Sequence, residues 1–231
     1  MSYIEFKNVS KEYYIEQEVN LALNNISFKI KKGELVLIKG SNGSGKSSIL
    51  NLLAGFDKAT NGEVIVDKIN LEKLNDKKNN RYIREYVGFV FDGNELIDDM
   101  TILENIILSL NISKKVFDTE NYIGKLGFDK KLNYFPIELT ESERIKASLL
   151  RAICKNPKIL LCDEILLKMT DKDRRQVIKV LKELASKKKI TIIITSDNTS
   201  ISSFVNKTIS LKKGKIESLK TSTKKVKGSK K

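Results

Sequence analysis

The chain has 231 residues, 40% of them hydrophobic, enough to fill the core of one domain or of one domain carrying an inserted lobe. Its formal net charge is +14, yet nine Lys and one Glu fall between Lys212 and Lys231, so the body of the chain is only mildly basic. No run approaches the roughly 18 apolar residues that a membrane span needs, and the start, MSYIEFKNVS, has no basic stretch leading into an apolar one.

The basic end, TSTKKVKGSKK, reads as a solvated, disordered tail, with attraction to an anionic cytoplasmic leaflet as the functional alternative. Cys154 and Cys162 lie in apolar segments without metal-ligand spacing, which suits buried free thiols in a reducing compartment. No aromatic pattern suggests base stacking, so no specific nucleic-acid partner is expected.

The first predicted strands are YIEFKNV, NISFKI and ELVLIKG. The last of these runs into GSNGSGKSS, Gly40 to Ser48, and then into the apolar helix SSILNLLAG. Gly40, Gly45, Lys46 and Ser47 fit G-x-x-x-x-G-K-[ST], with Ser41, Asn42, Gly43 and Ser44 inside the loop and Ser48 following it. Glycines let successive backbone N–H groups and a helix N-terminus close around phosphate oxygens. Lys46 would reach the β- and γ-phosphates of a nucleotide, and Ser47 would ligate Mg²⁺.

Two further strand-like runs follow, EVIVD and EYVGFVF. From about Asp92 to Arg151 the alternation breaks: MTILENIILSL and ERIKASLLRAI read as helices with no strong strand between them, a helical lobe inserted into the sheet domain. KILLCDE then delivers Asp163 and Glu164 to the carboxyl end of a buried strand, where α/β sites lie. Asp163 could hold Mg²⁺, directly or through water, and Glu164 could orient and deprotonate an attacking water; the plainer reading is a strand ending in a solvated acidic turn. The helix DKDRRQVIKVLKELASKKK, the strand ITIIITS and the pair KTISL and IESL across KKGK complete an α/β pattern with a mainly parallel sheet.

These motifs in this order resemble those of ATP-binding cassette (ABC) ATPase subunits, particularly the lipoprotein-releasing, macrolide and antimicrobial-peptide export type. The resemblance covers about residues 3–219, leaving 220–231 as the basic tail. It implies a P-loop NTPase cassette with a mainly parallel core sheet, an antiparallel β subdomain and the helical lobe at about 92–151. It places Tyr13 where an aromatic stacks on adenine. The implied cofactors are ATP and Mg²⁺, and the implied partners are a membrane permease and a second cassette on the cytoplasmic face of the cell membrane. Each ATP would lie between one subunit's P-loop and the other's signature motif.

The departures bear on activity. Asp92 stands where the family has a Gln that senses Mg²⁺ and couples to the permease. The signature L-S-G-G-Q becomes LTESE, with Thr140, Glu141, Ser142 and Glu143 replacing its polar and glycine positions, so two carboxylates are expected to face the partner's triphosphate. Thr170 stands where an Asp is usual after the acidic strand, and Ser196 replaces the His that contacts the γ-phosphate. The resemblance therefore implies an ATP-binding subunit of weak or partner-dependent hydrolysis, with Glu164 as base and a non-identical cassette supplying an intact signature. The alternatives are a non-hydrolysing, nucleotide-dependent scaffold of a membrane complex and, third, a soluble cassette acting on DNA or ribosomes.

Overall fold

The first 70 residues build the whole antiparallel layer and one central strand of the parallel sheet, whose other strands come from the rest of the chain. The computed structural model describes residues 2–15, 18–91, 95–113, 119–197 and 199–222. Strand β1 (Ile4–Ile15) pairs with β2 (Glu18–Ile30), and Phe6 stacks on its cross-strand neighbour Phe28 with ring centroids 4.3 Å apart. On its other side β1 pairs with β4 (Asn61–Val66), which carries the two-residue β5 (Ile69–Asn70), giving the order β2-β1-β4-β5.

The core sheet runs β10-β9-β3-β8-β7-β6. Strands β3 (Leu35–Lys39), β6 (Val87–Val90), β7 (Ile159–Cys162), β8 (Thr191–Ser196) and β9 (Lys207–Lys212) are parallel to their neighbours, and β10 (Lys215–Thr221) returns antiparallel to β9. Their continuous apolar runs follow from burial on both faces. Val36, Ile38, Leu161 and Ile193 pack with helix α1 (Lys46–Ala54) and the antiparallel layer. The alternate residues Leu35, Leu37, Leu160 and Ile192 join the core formed with the helices that come later in the chain.

Helix α2 (Asp76–Tyr86) lies between β5 and β6 in sequence. Helices α3 (Ile102–Ser113), α4 (Thr119–Leu126) and α5 (Glu141–Cys154) follow β6, and no strand occurs among the described residues between them. The buried Asn105 side chain fixes the entry to α3: it accepts from the Ile97 N–H and donates to the carbonyls of Ile97, Met100 and Thr101. Tyr122, Leu126, Phe128, Ile145 and Leu149 pack α4 against α5, and α6 (Asp171–Lys187) covers the same face of the core sheet through Val177, Leu181 and Leu184. Cys154 and Cys162 are free and buried, and burial pushes the Cys154 thiol up to about 12. None of the described helices is long and apolar enough to cross a membrane.

Candidate functional site

The carboxyl ends of β3 and β7 open onto a cavity of about 480 Å³ lined by Tyr13, Asn20, Ala22, Asn42 to Ser48, Asp163 and Glu164. That volume lies in the usual range of small-molecule sites. The loop from Gly40 to Gly45 has no side chain where the backbone is tightest. Gly45 has φ of 101°, and a Cβ there would lie 2.5 Å from the Ala22 carbonyl oxygen and 2.7 Å from Leu23 Cδ2. Only glycine is free of both the strain and the collision. Its left-handed conformation turns the chain into α1, so the first N–H groups of that helix are presented at the loop.

The ammonium of Lys46 is only 5% exposed and already has three partners: it donates to the carbonyls of Gly40 at 2.8 Å and Ser41 at 3.0 Å, and lies 3.0 Å from Glu164 Oε1. The Ser47 hydroxyl donates to Asp163 Oδ2 at 3.2 Å. Asp163 itself is fixed at its backbone by donation from its N–H to the Val90 carbonyl on the adjacent strand β6. A hydroxyl and a carboxylate in contact are an oxygen-only pair that suits Mg²⁺ completed by water and phosphate oxygens. Ser44, in the same loop, is buried against Gly40, and among the described residues its Oγ has no hydrogen-bond partner. Tyr13, whose hydroxyl is 3.5 Å from Ser48 Oγ, forms the wall toward β1, with the Lys11 ammonium 4.8 Å from its ring centre.

The structure thus brings Tyr13, Asn42 to Ser48, Asp163 and Glu164 to one cavity, with Gly40 and Ser41 behind its wall, where their carbonyls accept from Lys46. It does not bring Ser196 to that cavity. Ser196 is fully buried at the end of β8, with its backbone in register with Lys39, and is not among the lining residues. Asp92 lies outside the described residues.

Thr140 to Glu143 form the start of α5, also away from the cavity. Thr140 is the N-cap: its Oγ1 accepts from the Glu143 N–H at 3.3 Å, and Glu143 Oε2 accepts from the Thr140 N–H at 3.0 Å, a reciprocal capping box. Ser142 is buried and its Oγ accepts from the Thr170 N–H, while Thr170 caps α6. Both acidic residues of this segment have a lysine beside them. Glu143 Oε1 is 2.6 Å from the Lys131 ammonium, whose hydrogen bond holds the carboxyl below its ordinary range. Glu141, more exposed, lies 3.5 Å from Lys168. The neutralising lysines come from segments outside the motif, so the motif alone reads as more acidic than the surface it builds.

Sequence reasoning missed Asn20 and Ala22, which β2 contributes to the cavity wall, and Thr195, whose hydroxyl touches both acidic residues. The readable signal for Thr195 was a polar residue inside the apolar run ITIIITS.

The family model described as "ABC transporter" matches residues 23–166. An uncharacterized ABC transporter ATP-binding protein of Methanocaldococcus jannaschii is 31% identical over 93% of this chain and 95% of its own length. The lipoprotein-releasing system ATP-binding protein LolD of Rickettsia bellii is also 31% identical, over 91% of this chain and 96% of its own. A dimeric structure of the ATP-binding cassette MJ0796, in a post-hydrolysis state bound to ADP and Pi, superposes with a TM-score of 0.87 at 30% identity, covering 94% of this chain and 98% of that one.

Proposed function

Because this chain belongs to the ABC transporter family as an ATP-binding cassette, we propose that it takes Mg-ATP into the cavity around Lys46 and powers or gates a membrane permease on the cytoplasmic face of the cell membrane. The observation that carries this reading is the convergence of the glycine loop, Lys46, Ser47, Asp163 and Glu164 on one cavity. The cassette, expected to end at residue 219, runs on through Lys220 and Thr221, which pair with Thr208 and Lys207 as the end of β10, and the basic residues beyond Ser222 act as the tail.

In this reading the loop amides and Lys46 hold the β- and γ-phosphates, Tyr13 stacks on adenine, and Ser47 and Asp163 hold Mg²⁺. When bound there, the metal supplies charge that offsets the phosphate oxygens. Glu164 accepts the proton of the attacking water at its carboxylate, after exchanging its ion pair with Lys46 for that water.

Hydrolysis by the chain alone is slow. Ser196 brings no imidazole, and its buried place keeps it from the cavity wall. The signature segment offers a partner's nucleotide side chains at Glu141 and Glu143 where glycines would let backbone amides approach, and Thr140 Oγ1 already occupies the Glu143 N–H. A second, non-identical cassette with an intact signature therefore completes this chain's site. For the permease, a partly exposed aromatic cluster stands ready: Phe56, Phe89 and Phe91 form a triangle with ring centroids 5.4, 3.8 and 6.1 Å apart, Phe56 and Phe91 exposed, beside a recess of about 290 Å³ that includes Leu108 and Arg151. Exposed aromatic clusters of this kind suit protein interfaces.

The buried Ser196 also favours a second reading, a nucleotide-gated scaffold that never turns over. Phosphate release separates the two. Purified alone, the chain should release phosphate well below about 1 s⁻¹, the low end of ordinary enzymes. Coexpressed with a permease and a second cassette from neighbouring reading frames, it should copurify and turn over faster, in a manner lost with Lys46→Ala. Copurification without phosphate release would favour the scaffold, and no copurification would count against a transporter subunit.

A further inference from the structure

One hydroxyl on β8 contacts both acidic residues of the site. Strands β7 and β8 are parallel neighbours in which Cys162 is level with Ile194, so Thr195 arrives beside Asp163 just past the end of β7. Thr195 is fully buried. Its Oγ1 donates to Asp163 Oδ1 at 2.6 Å and accepts from the Glu164 N–H at 2.9 Å.

Both bonds act on groups that need orienting. With Oδ1 engaged by Thr195, the other Asp163 oxygen, Oδ2, faces the Ser47 hydroxyl at 3.2 Å. Glu164 has φ of 51°, the left-handed region that a side-chain-bearing residue adopts only when its surroundings hold it there. From that backbone its carboxylate reaches Lys46 at 3.0 Å. A residue needed only to fill the sheet would be apolar, as Ile192, Ile193 and Ile194 before it are. At Thr195 the one proton is spent on Asp163 and a lone pair on Glu164.

We propose that Thr195 is a positioning residue of the nucleotide site, aiming the Asp163 carboxylate at the Ser47 hydroxyl and holding Glu164 in its left-handed conformation. The proposal rests on the nucleotide reading above. It implies that Thr195 serves the contribution of Mg²⁺ to binding, which passes through Ser47 and Asp163, and not the loop's own grip on phosphate.

The test is calorimetric titration of ADP into the full chain, with and without Mg²⁺, for the unmodified protein and for Thr195→Val, Thr195→Ser and Thr195→Cys. Without metal, Thr195→Ser should match the unmodified chain, and Thr195→Val and Thr195→Cys should lose no affinity and gain at most about threefold, the gain expected where a released Glu164 no longer competes for Lys46. The gain in affinity on adding Mg²⁺ should fall about fivefold in Thr195→Val, the scale of one lost hydrogen bond, be kept in Thr195→Ser, and fall partway in Thr195→Cys, whose S–H is a weaker donor. An undiminished gain in Thr195→Val overturns the proposal, as does a serine chain that behaves like the valine one. Should the valine chain fail the metal-free control through misfolding, an undiminished gain in Thr195→Cys overturns it. Failure of the unmodified chain to bind ADP at all would instead remove the nucleotide reading.

Discussion

The Lys46 ammonium and the Glu164 carboxylate stand 3.0 Å apart inside the cavity, each the other's ion partner. In the nucleotide reading these are the phosphate-binding cation and the base, so the pair is a resting arrangement that an incoming triphosphate must exchange. Buried Lys46 stays satisfied throughout, because its two loop carbonyls remain when Glu164 leaves.

Glu164→Gln tests this exchange. The neutral amide no longer competes for Lys46, so the affinity for ADP should rise about threefold, within the range of a single net polar interaction. Phosphate release should stop in the same chain. An affinity that falls in a calorimetric titration would show that Glu164 assists binding instead of competing with it.

Gly45→Ala should abolish nucleotide binding without removing a charge. The added Cβ would collide with the Ala22 carbonyl and the Leu23 side chain, both on β2, and would have to sit at φ of 101°. The loop must open to relieve this, displacing the amides that face phosphate. Retention of affinity within about twofold, too small a change to reflect even one lost hydrogen bond, would mean that the loop tolerates the change and that its tight path is not what binds.

Lys131→Met should uncover the Glu143 carboxylate at the start of α5. ATP-dependent association of the Glu164→Gln chain with a cassette carrying an intact signature should weaken about fivefold, because an unpaired carboxylate then faces a triphosphate. Adding Glu143→Gln should restore it. Light scattering that shows no change in the single variant would mean that the Lys131–Glu143 pair is an ordinary surface contact.

Acid should weaken the ion pairs that tie the helices to their neighbours. Glu143 and Glu183 are held below their ordinary range chiefly by hydrogen bonds from Lys131 and Lys125, and Asp173 is lowered because the Lys146 hydrogen bond and its other partners outweigh burial. A depressed carboxyl contributes stability that is fully present above its unfolded pKa, about 4 for these residues, and is lost as pH falls through the lower folded value. Glu72 and Glu95, raised by burial, act with the opposite sign and gain as pH falls through their folded values. Thermal midpoints should therefore hold nearly level from neutral pH to about 5 and drop below about 4. A midpoint that rises on acidification below that point would contradict the ion-pair assignment.

The parallel strands and the glycine loop were legible because their signals are local: continuous apolar runs such as LVLIK and KILLC, and a fixed spacing of Gly, Lys and Ser. Helix α2 was not read, because DKKNNRYIREY has only three apolar residues, Tyr82, Ile83 and Tyr86, crowded into its last turns on the face that packs on the core. Helix α4 escaped for a similar reason, with Gly124 in its middle and burial confined to Tyr122 and Leu126. The first hairpin runs well beyond YIEFKNV and NISFKI, since its outer half is held by cross-strand pairing and exposes Tyr14, Val19 and Leu21. Lys131 and Thr195 reach their partners only through tertiary packing, over 12 and 32 residues of sequence, and no motif marks them.

The central claim is that the cavity at Lys46 binds Mg-ATP through its phosphates. Titrating Mg-ATP into the unmodified chain and into Lys46→Ala in a calorimeter tests it most directly. The account predicts a saturable heat for the unmodified chain and at least about a tenfold loss of affinity in the variant, equal to about 1.4 kcal/mol, with its thermal unfolding still cooperative. Equal affinities in two folded chains would contradict it.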